Sequence, residues 1–179
     1  MEDANGHGVF RIGSRLVGVP LDHVSEVCVL PKLTPLMFAN PALLGAFDLR
    51  GSLVPVLDVE HLSGLPPRTA PAKIAAILRY QGRMTGIALD DIHTLSRPAP
   101  TDIGGGPEAQ DRGERAIDDS LFSKFFLIDE NVISCLNTSA MFARDDILTI
   151  ADTRTAARRT ADPNRQKLLI FSAGGARFS

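Results

Sequence analysis

Apolar and polar residues alternate in short runs along most of the chain, and turn-forming residues separate the runs. Alternation over four to eight residues is typical of β-strands with one buried face. The pattern predicts ten strands, at residues 8–12, 15–20, 24–30, 42–50, 52–58, 73–80, 83–89, 93–95, 125–128 and 131–136. Turns at residues 13–14, 81–82 and 130–131 join three pairs of these strands as hairpins. The pattern therefore predicts an all-β protein.

Helices and loops occupy the remaining positions. Short helices are predicted at residues 41–44, 59–62, 120–124 and 138–142. The last begins at Asn137 or Thr138, because both side chains are good N-caps, and Asp58 is expected to cap or end its strand. Residues 63–71 and 98–113 are rich in Pro or Gly and predict mobile loops.

One charged residue stands at the turn of an otherwise apolar hairpin. The apolar run that ends at Leu49 leads into Arg50-Gly51-Ser52, and a second apolar run follows from Leu53. Gly51 permits a tight turn, so Arg50 is held on a rigid support. Two interpretations follow for this arginine. It is either a structural residue with an internal partner, the more common case, or a fixed recognition point for a carboxylate or for backbone carbonyls.

Composition restricts the class of protein. The chain has 179 residues, 44% of them hydrophobic, and can bury the core of one domain or of two small lobes. No apolar run approaches the roughly 20 residues of a membrane span. The acidic residues 1–5 do not resemble a secretory signal, so a cytoplasmic location is expected. Net charge is −2 with mixed signs, which gives no electrostatic footprint for nucleic acid.

The residues that usually carry chemistry are scattered. Cys28 and Cys135 are predicted to be buried thiols, and the four histidines have no Cys or His partner at metal-ligand spacing. The glycines at 104–106 lack the Lys and Ser/Thr of a phosphate-binding loop. The sequence therefore predicts no enzyme, no cofactor and no metal site. An enzyme would require a site that converges only in the folded chain.

Two adjacent motifs carry a family resemblance. Residues 44–51 (LGAFDLRG) and 53–58 (LVPVLD) resemble the CheW family of bacterial chemotaxis adaptors. That family has an apolar-Gly-apolar-apolar-Asn-Leu-Arg-Gly run, then an apolar-Val-Pro-apolar-apolar-Asp run. Asp48 stands where the family pattern has Asn.

The resemblance continues on both sides of this hairpin. Residues 10–21 are similar to the family's opening strand pair, and residues 24–27 (VSEV) to its V-x-E-V step. Residues 85–92 (TGIALDDI) are similar to its Gly-apolar-apolar-apolar-Asp-x-Val strand. Residues 126–136 are a weaker match to its final hairpin. The resemblance covers residues 9–142.

The family implies a fold and partners for this chain. The expected fold is two small SH3-like five-stranded β-barrel lobes packed side by side, with short helices and a groove between them. The expected function is a non-enzymatic adaptor between chemoreceptor signalling tips and the regulatory domain of a CheA-type histidine kinase. An SH3-like module that binds another protein or peptide outside chemotaxis is the alternative. Binding of nucleic acid or proline-rich peptides is disfavoured by one Tyr, no Trp and mixed charge.

The resemblance also implies which residues bind the partners. The neighbourhoods of Val24, Leu44 and Leu53 would line the groove for a receptor helix tip, and Arg50 would fix its orientation. Arg50 and Asp48 are the stronger candidates, because charged residues are seldom buried without a partner. Gly51 completes the set.

The C-terminal part predicts a different organisation. Residues 8–142 form the CheW-like domain, residues 143–166 a linker or frayed helix, and residues 167–179 the start of a possible second copy. Aligning Phe171 on Phe10 places Gly174 on Gly13 and Phe178 on Val17. The alternative is an extra strand added to an open edge of the first domain.

Overall fold

The fold comes from a computed structural model, which describes residues 6–97, 120–122 and 124–147 and the backbone of residues 104 and 105. The predicted second copy at residues 167–179 and most of the predicted linker lie outside the described residues. So does most of the predicted loop at 98–113, of which Gly104 and Gly105 form a short strand.

The described residues form eleven strands and two short α-helices. The strands are β1 His7–Ile12, β2 Arg15–Pro20, β3 Val24–Val29, β4 Leu43–Leu49, β5 Ser52–Leu57, β6 Ile74–Tyr80, β7 Arg83–Leu89, β8 Asp91–Ser96, β9 Gly104–Gly105, β10 Lys124–Ile128 and β11 Asn131–Cys135. The helices are α1 Val59–Leu62 and α2 Thr138–Ala143, and a single 3-10 turn spans Leu21–His23. All ten predicted strands are present, with ends shifted by one or two residues.

Two predicted helices are wrong. Residues 41–42 form a turn that the Asn40 side chain closes by accepting the Ala42 amide hydrogen, and Leu43 then enters β4 opposite Leu57. Residues 120–122 form a turn, and Lys124 begins β10. Strand pairing overrides local propensity in both places. The α1 and α2 predictions are confirmed, with Asp58 and Asn137 as the N-caps.

The strands assemble into two sheets. The first has the order β8-β1-β2-β11-β10-β9 and the second the order β3-β6-β7-β5-β4. Each combines antiparallel hairpins with one parallel pair, β2 with β11 and β5 with β7. The third predicted hairpin turn lies one residue earlier than expected, because Ile128 pairs with Asn131 and leaves Asp129 and Glu130 as the loop. A mostly β chain with two side-by-side sheets confirms the predicted fold class.

Three apolar clusters explain this arrangement. The largest lies between the two sheets and includes Phe10 from the first sheet, Leu57 from the second and Phe142 from α2. A second cluster, centred on Val54 and Ile77, lies on the other face of the five-stranded sheet. A third, centred on Phe126, lies on the other face of the first sheet. Both sheets therefore bury apolar residues on both faces, which open sheets in water do not achieve alone.

Contacts join the two edge strands of the five-stranded sheet. Thr34, just after β3, exchanges two backbone hydrogen bonds with Ala46 of β4, at 2.8 and 2.9 Å. Gly45 permits this approach, because its φ is 138° and a Cβ there would lie 2.7 Å from the Thr34 carbonyl oxygen. Closure of either sheet into a complete barrel stays a prediction.

The packed domain extends past residue 142. Ala143 still belongs to α2, and the Ile147 side chain is fully buried in the cluster between the sheets. The Asn40 side chain donates a hydrogen bond of 3.1 Å to Asp146. Residues 143–147, which were predicted to belong to a linker or frayed helix, are therefore part of the folded unit.

Candidate functional site

Most of the predicted binding residues gather at one end of the five-stranded sheet. Because β5 and β7 are parallel, the β4–β5 turn and the β6–β7 turn lie at the same end. The start of β3 lies there too, since Val24 pairs with Leu78 near the end of β6. We call this region the open end, defined by Val24, Glu26, Asp48, Arg50 and Leu53.

The β4–β5 turn holds Arg50 in an unusual backbone conformation. Arg50 and Gly51 have φ values of 53° and 85°, so both occupy the left-handed region. This is the geometry of a two-residue hairpin turn whose twist matches that of the strands. The Asp48 carboxylate stabilises the turn by accepting the Gly51 amide hydrogen at 2.6 Å. Asp48 therefore has a structural role in addition to any contact that it makes with a partner.

Arg50 has an internal partner and remains accessible. Its Nη1 and Nη2 atoms donate to the two carboxylate oxygens of Glu26 at 2.8 and 2.7 Å. The Arg50 side chain is still 52% exposed, and that of Glu26 is 19% exposed. The hydrogen bond and the charge of Glu26 raise the pKa of Arg50, which keeps the guanidinium charged. Arg50 therefore combines the two interpretations from the sequence: it has an internal partner, and that partner holds an exposed cation in a fixed position for recognition.

Glu26 is the residue that sequence reasoning missed as part of the site. It lies on β3, at the opposite edge of the sheet from the β4–β5 hairpin, so sequence distance gave no hint of the contact. Its signal was present in the V-x-E-V motif at residues 24–27. A glutamate among half-buried apolar residues of a strand requires a partner, and Arg50 is that partner.

The two faces of the hairpin carry different surfaces. Phe47 and Val54 point into the cluster on one face. Asp48 and Leu53, which are directly opposite each other in the register, point to the other face and are exposed. Leu53 is 39% exposed. Leu44 is 36% exposed but lies near the start of β4, beside Leu43, which pairs with Leu57, so it is at the other end of the strand from Arg50. The open end thus presents apolar and charged groups side by side.

Val24 is placed differently from Leu44 and Leu53. It is half-buried and packs against the apolar cluster between the sheets. It shares the cluster with Leu57, which lies on the same face of β5 as Leu53. Val24 therefore supports this surface from the core side and presents only part of its side chain to solvent.

Cys28 lies close to the ion pair but is not activated. Its half-buried position raises the pKa of the thiol, the charge of Glu26 raises it further, and Arg50 lowers it. Cysteine reactivity requires the thiolate, which a raised pKa disfavours. Cys135 is buried, as predicted, and no disulfide joins it to Cys28.

A second polar cluster lies at the opposite end of the same sheet. Asp58 caps α1 through the Glu60 and His61 amides, and its other oxygen accepts the Arg68 amide hydrogen at 3.1 Å. The Arg68 side chain donates to the Asp90 carboxylate and to the Ala88 carbonyl oxygen. We call this region the clamped end, defined by Asp58, Arg68 and Asp90. Arg68 anchors the loop at residues 63–71 that was predicted to be mobile.

The described residues give little support for other kinds of site. Residues 6–97, 120–122 and 124–147 contain no group of three or more His, Cys, Asp or Glu side chains placed to hold a metal ion. No helix within these ranges has both the length and the apolar character needed to cross a membrane.

Comparisons with known proteins agree on one family. The CheW-like domain model matches residues 7–146. A probable chemotaxis protein CheW of Rhizobium etli is 22% identical over 76% of this chain and 86% of its own length. Chemotaxis protein CheW of Rhizobium meliloti is 23% identical over 71% and 79%. Protein FrzA of Myxococcus xanthus is 32% identical over 52% and 59%.

A solved structure supports the same conclusion at the level of the fold. The scaffolding protein TtCheW of Thermoanaerobacter tengcongensis is 21% identical and superposes with a TM-score of 0.67. The superposition covers 80% of this chain and 90% of that protein. The CheW-like domain model, whose match at residues 7–146 covers more than half of the chain, identifies the chain as a member of the CheW-like domain family.

Proposed function

We propose that the chain is a non-enzymatic adaptor that couples chemoreceptor signalling tips to a CheA-type histidine kinase in the cytoplasm. The observation that carries the proposal is the open end of the five-stranded sheet. There an exposed arginine is fixed by a bidentate ion pair near the exposed side chain of Leu53. A cation that is already fixed next to apolar side chains should bind a helix tip more tightly than a flexible cation would, because less side-chain entropy is lost on binding.

Family membership supports this proposal from a second direction. Two of the similar proteins carry chemotaxis in their names, and the similar structure is that of a scaffolding protein. The sequence has no recognisable catalytic motif. We propose that the receptor tip contacts Arg50 and Leu53, with Asp48, Gly51 and Val24 supporting that surface. The predicted contact with Leu44, which lies at the other end of β4, stays a separate prediction. The kinase regulatory domain, which the resemblance implies has the same fold, would pair with the adaptor barrel to barrel.

Co-sedimentation tests the proposal directly. The full chain is mixed with a receptor signalling-tip fragment, with a CheA-type regulatory domain, and with both together. We expect binding to each at micromolar concentrations and a ternary complex. Absence of binding to both partners would rule out the adaptor function and leave an interaction module outside chemotaxis as the alternative.

A variant pair separates the receptor surface from the rest of the domain. Arg50→Ala should weaken receptor binding and leave kinase binding intact. Arg79→Ala is the matched control, because Arg79 is an exposed arginine of the same sheet whose side chain contacts Met84 instead of a carboxylate. Equal losses in the two variants would mean that general positive charge, rather than the fixed Arg50, attracts the receptor.

A further inference from the structure

Asp48 gives the open end a charge that the family pattern does not have. The family motif places a neutral Asn at this position, and this chain has an Asp. The cation of the hairpin turn, Arg50, is held by both oxygens of Glu26. Within the described residues Asp48 forms no ion pair with a cation, so its negative charge is not neutralised inside the folded chain.

The fold keeps this charge on the surface. Asp48 is exposed, and its Oδ1 atom accepts the Gly51 amide hydrogen. A backbone N–H donor orients a carboxylate without neutralising it. The side chain therefore has a fixed direction, and its position follows from the register of the hairpin.

An apolar contact lies directly beside the charge. Leu53 is the cross-strand neighbour of Asp48 on the same face, so the two Cβ atoms are about 5 Å apart. Leu53 is a large apolar side chain that the fold leaves 39% exposed. An exposed leucine next to an oriented carboxylate forms a small surface with both an apolar and an acidic part.

From this surface we infer that the helix bound at the open end carries a lysine or arginine beside an apolar side chain. The apolar residue packs on Leu53, and the cation faces Asp48. Charge complementarity across an interface selects partners and raises the rate of association. Asp48 is then a specificity residue, and this inference rests on the proposed receptor contact.

The test uses Asp48→Asn, which removes the charge and keeps an oxygen that can accept the Gly51 amide hydrogen. The probes are a receptor signalling-tip fragment and a derivative in which the Lys and Arg residues of the tip are replaced by Gln. For the native tip we expect Asp48→Asn to bind about two- to fivefold more weakly than the unmodified chain, mainly through slower association, and with less sensitivity to salt. For the Gln derivative we expect the unmodified chain and Asp48→Asn to bind equally.

The outcomes distinguish this inference from the proposed function. Equal or tighter binding of the native tip by Asp48→Asn, with binding still lost in Arg50→Ala and Leu53→Ala, would overturn the inference and leave the receptor contact standing. No binding of the tip by the unmodified chain would overturn both. An unchanged unfolding temperature for Asp48→Asn confirms that the turn is intact, so that the binding effect reports the charge.

Discussion

Each end of the five-stranded sheet carries an arginine paired with a carboxylate, but the two pairs differ in burial. At the open end the Arg50 side chain is 52% exposed and donates to the two oxygens of Glu26. At the clamped end the Arg68 side chain is 11% exposed and also binds backbone carbonyls. An exposed ion pair contributes little to stability, whereas breaking a buried one leaves an uncompensated charge. An arginine is therefore available for binding a partner at the open end, whereas an arginine stabilises the fold at the clamped end.

The clamped end connects the two sheets. Asp90 lies between β7 of the second sheet and β8 of the first, and it accepts hydrogen bonds from Arg68 and from the Gly13 amide in the β1–β2 turn. Arg15 of β2 pairs with Glu60 of α1 at 2.7 Å. These contacts join elements of both sheets near the connection from β7 to β8. The polar network therefore stabilises the packing of the two sheets in addition to the apolar cluster between them.

The largest effect is expected from Arg68→Ala. This change removes the positively charged partner of Asp90 and the donors to the Ala70 and Ala88 carbonyl oxygens, and it should lower the free energy of unfolding by about 3 kcal/mol. Urea unfolding measures the loss, with Arg79→Ala as the exposed control. Arg68→Lys should recover only part of the stability, because a lysine cannot reproduce the fork of donors. A loss no larger than that of Arg79→Ala would remove the distinction between the two ends.

The second effect concerns Asp58, which is 1% exposed. Asp58→Ala leaves the Glu60, His61 and Arg68 amides without their acceptor and should cost about 2 kcal/mol. Asp58→Asn is the sharper comparison, because its one side-chain oxygen can still cap α1 while its amide group cannot accept the Arg68 amide hydrogen. We expect about half the loss. Equal losses would mean that α1 capping carries none of the contribution of Asp58.

Sequence alone predicted one end of this sheet better than the other. The strands followed from alternation, and the Arg50 turn followed from Gly51 and the apolar runs around it. Arg68 was hidden in a Pro-rich segment whose composition is that of a mobile loop. Its partners lie 10 and 22 residues away in sequence. Composition predicts the mobility of a loop only where the loop makes no tertiary contacts. Here the tertiary hydrogen bonds of Arg68 hold the loop in place.

The contact between Glu26 and Arg50 could not be predicted from the sequence either, because it too depends on the tertiary structure. The partners lie 24 residues apart on opposite edges of the sheet, so their contact depends on how the sheet curls. The two wrong helices, at residues 41–44 and 120–124, have the same origin. Local propensity suggested a helix, and pairing with the other strand of a hairpin, Leu43 with Leu57 and Lys124 with Cys135, determined the structure.

The β10–β11 turn gives a separate measure of what a left-handed, non-glycine residue costs in a hairpin turn, as Arg50 does in the β4–β5 turn. Asp129 and Glu130 both have positive φ, 47° and 68°, without a glycine between them. Asp-Gly is a preferred pair for this turn, so Glu130→Gly should raise the free energy of unfolding by about 0.5 to 1 kcal/mol. Thermal unfolding measures the gain. A loss of stability instead would show that the Glu130 side chain contributes more to the hairpin than its left-handed backbone costs.

The smallest effect on stability is expected from Arg50→Ala. The substitution keeps a non-glycine residue at φ 53°, so the backbone cost of the turn is unchanged, and it removes one exposed ion pair. The free energy of unfolding should change by less than about 0.5 kcal/mol. Arg50→Gly removes the same ion pair and relieves the backbone, so it should be the more stable of the two by about 1 kcal/mol. A loss in Arg50→Ala as large as that in Arg68→Ala would show that Arg50 also fastens the fold. The Glu26–Arg50 contact would then add to the Thr34–Ala46 hydrogen bonds that join the edges of the sheet, and the weaker receptor binding expected of the variant would no longer report a surface contact.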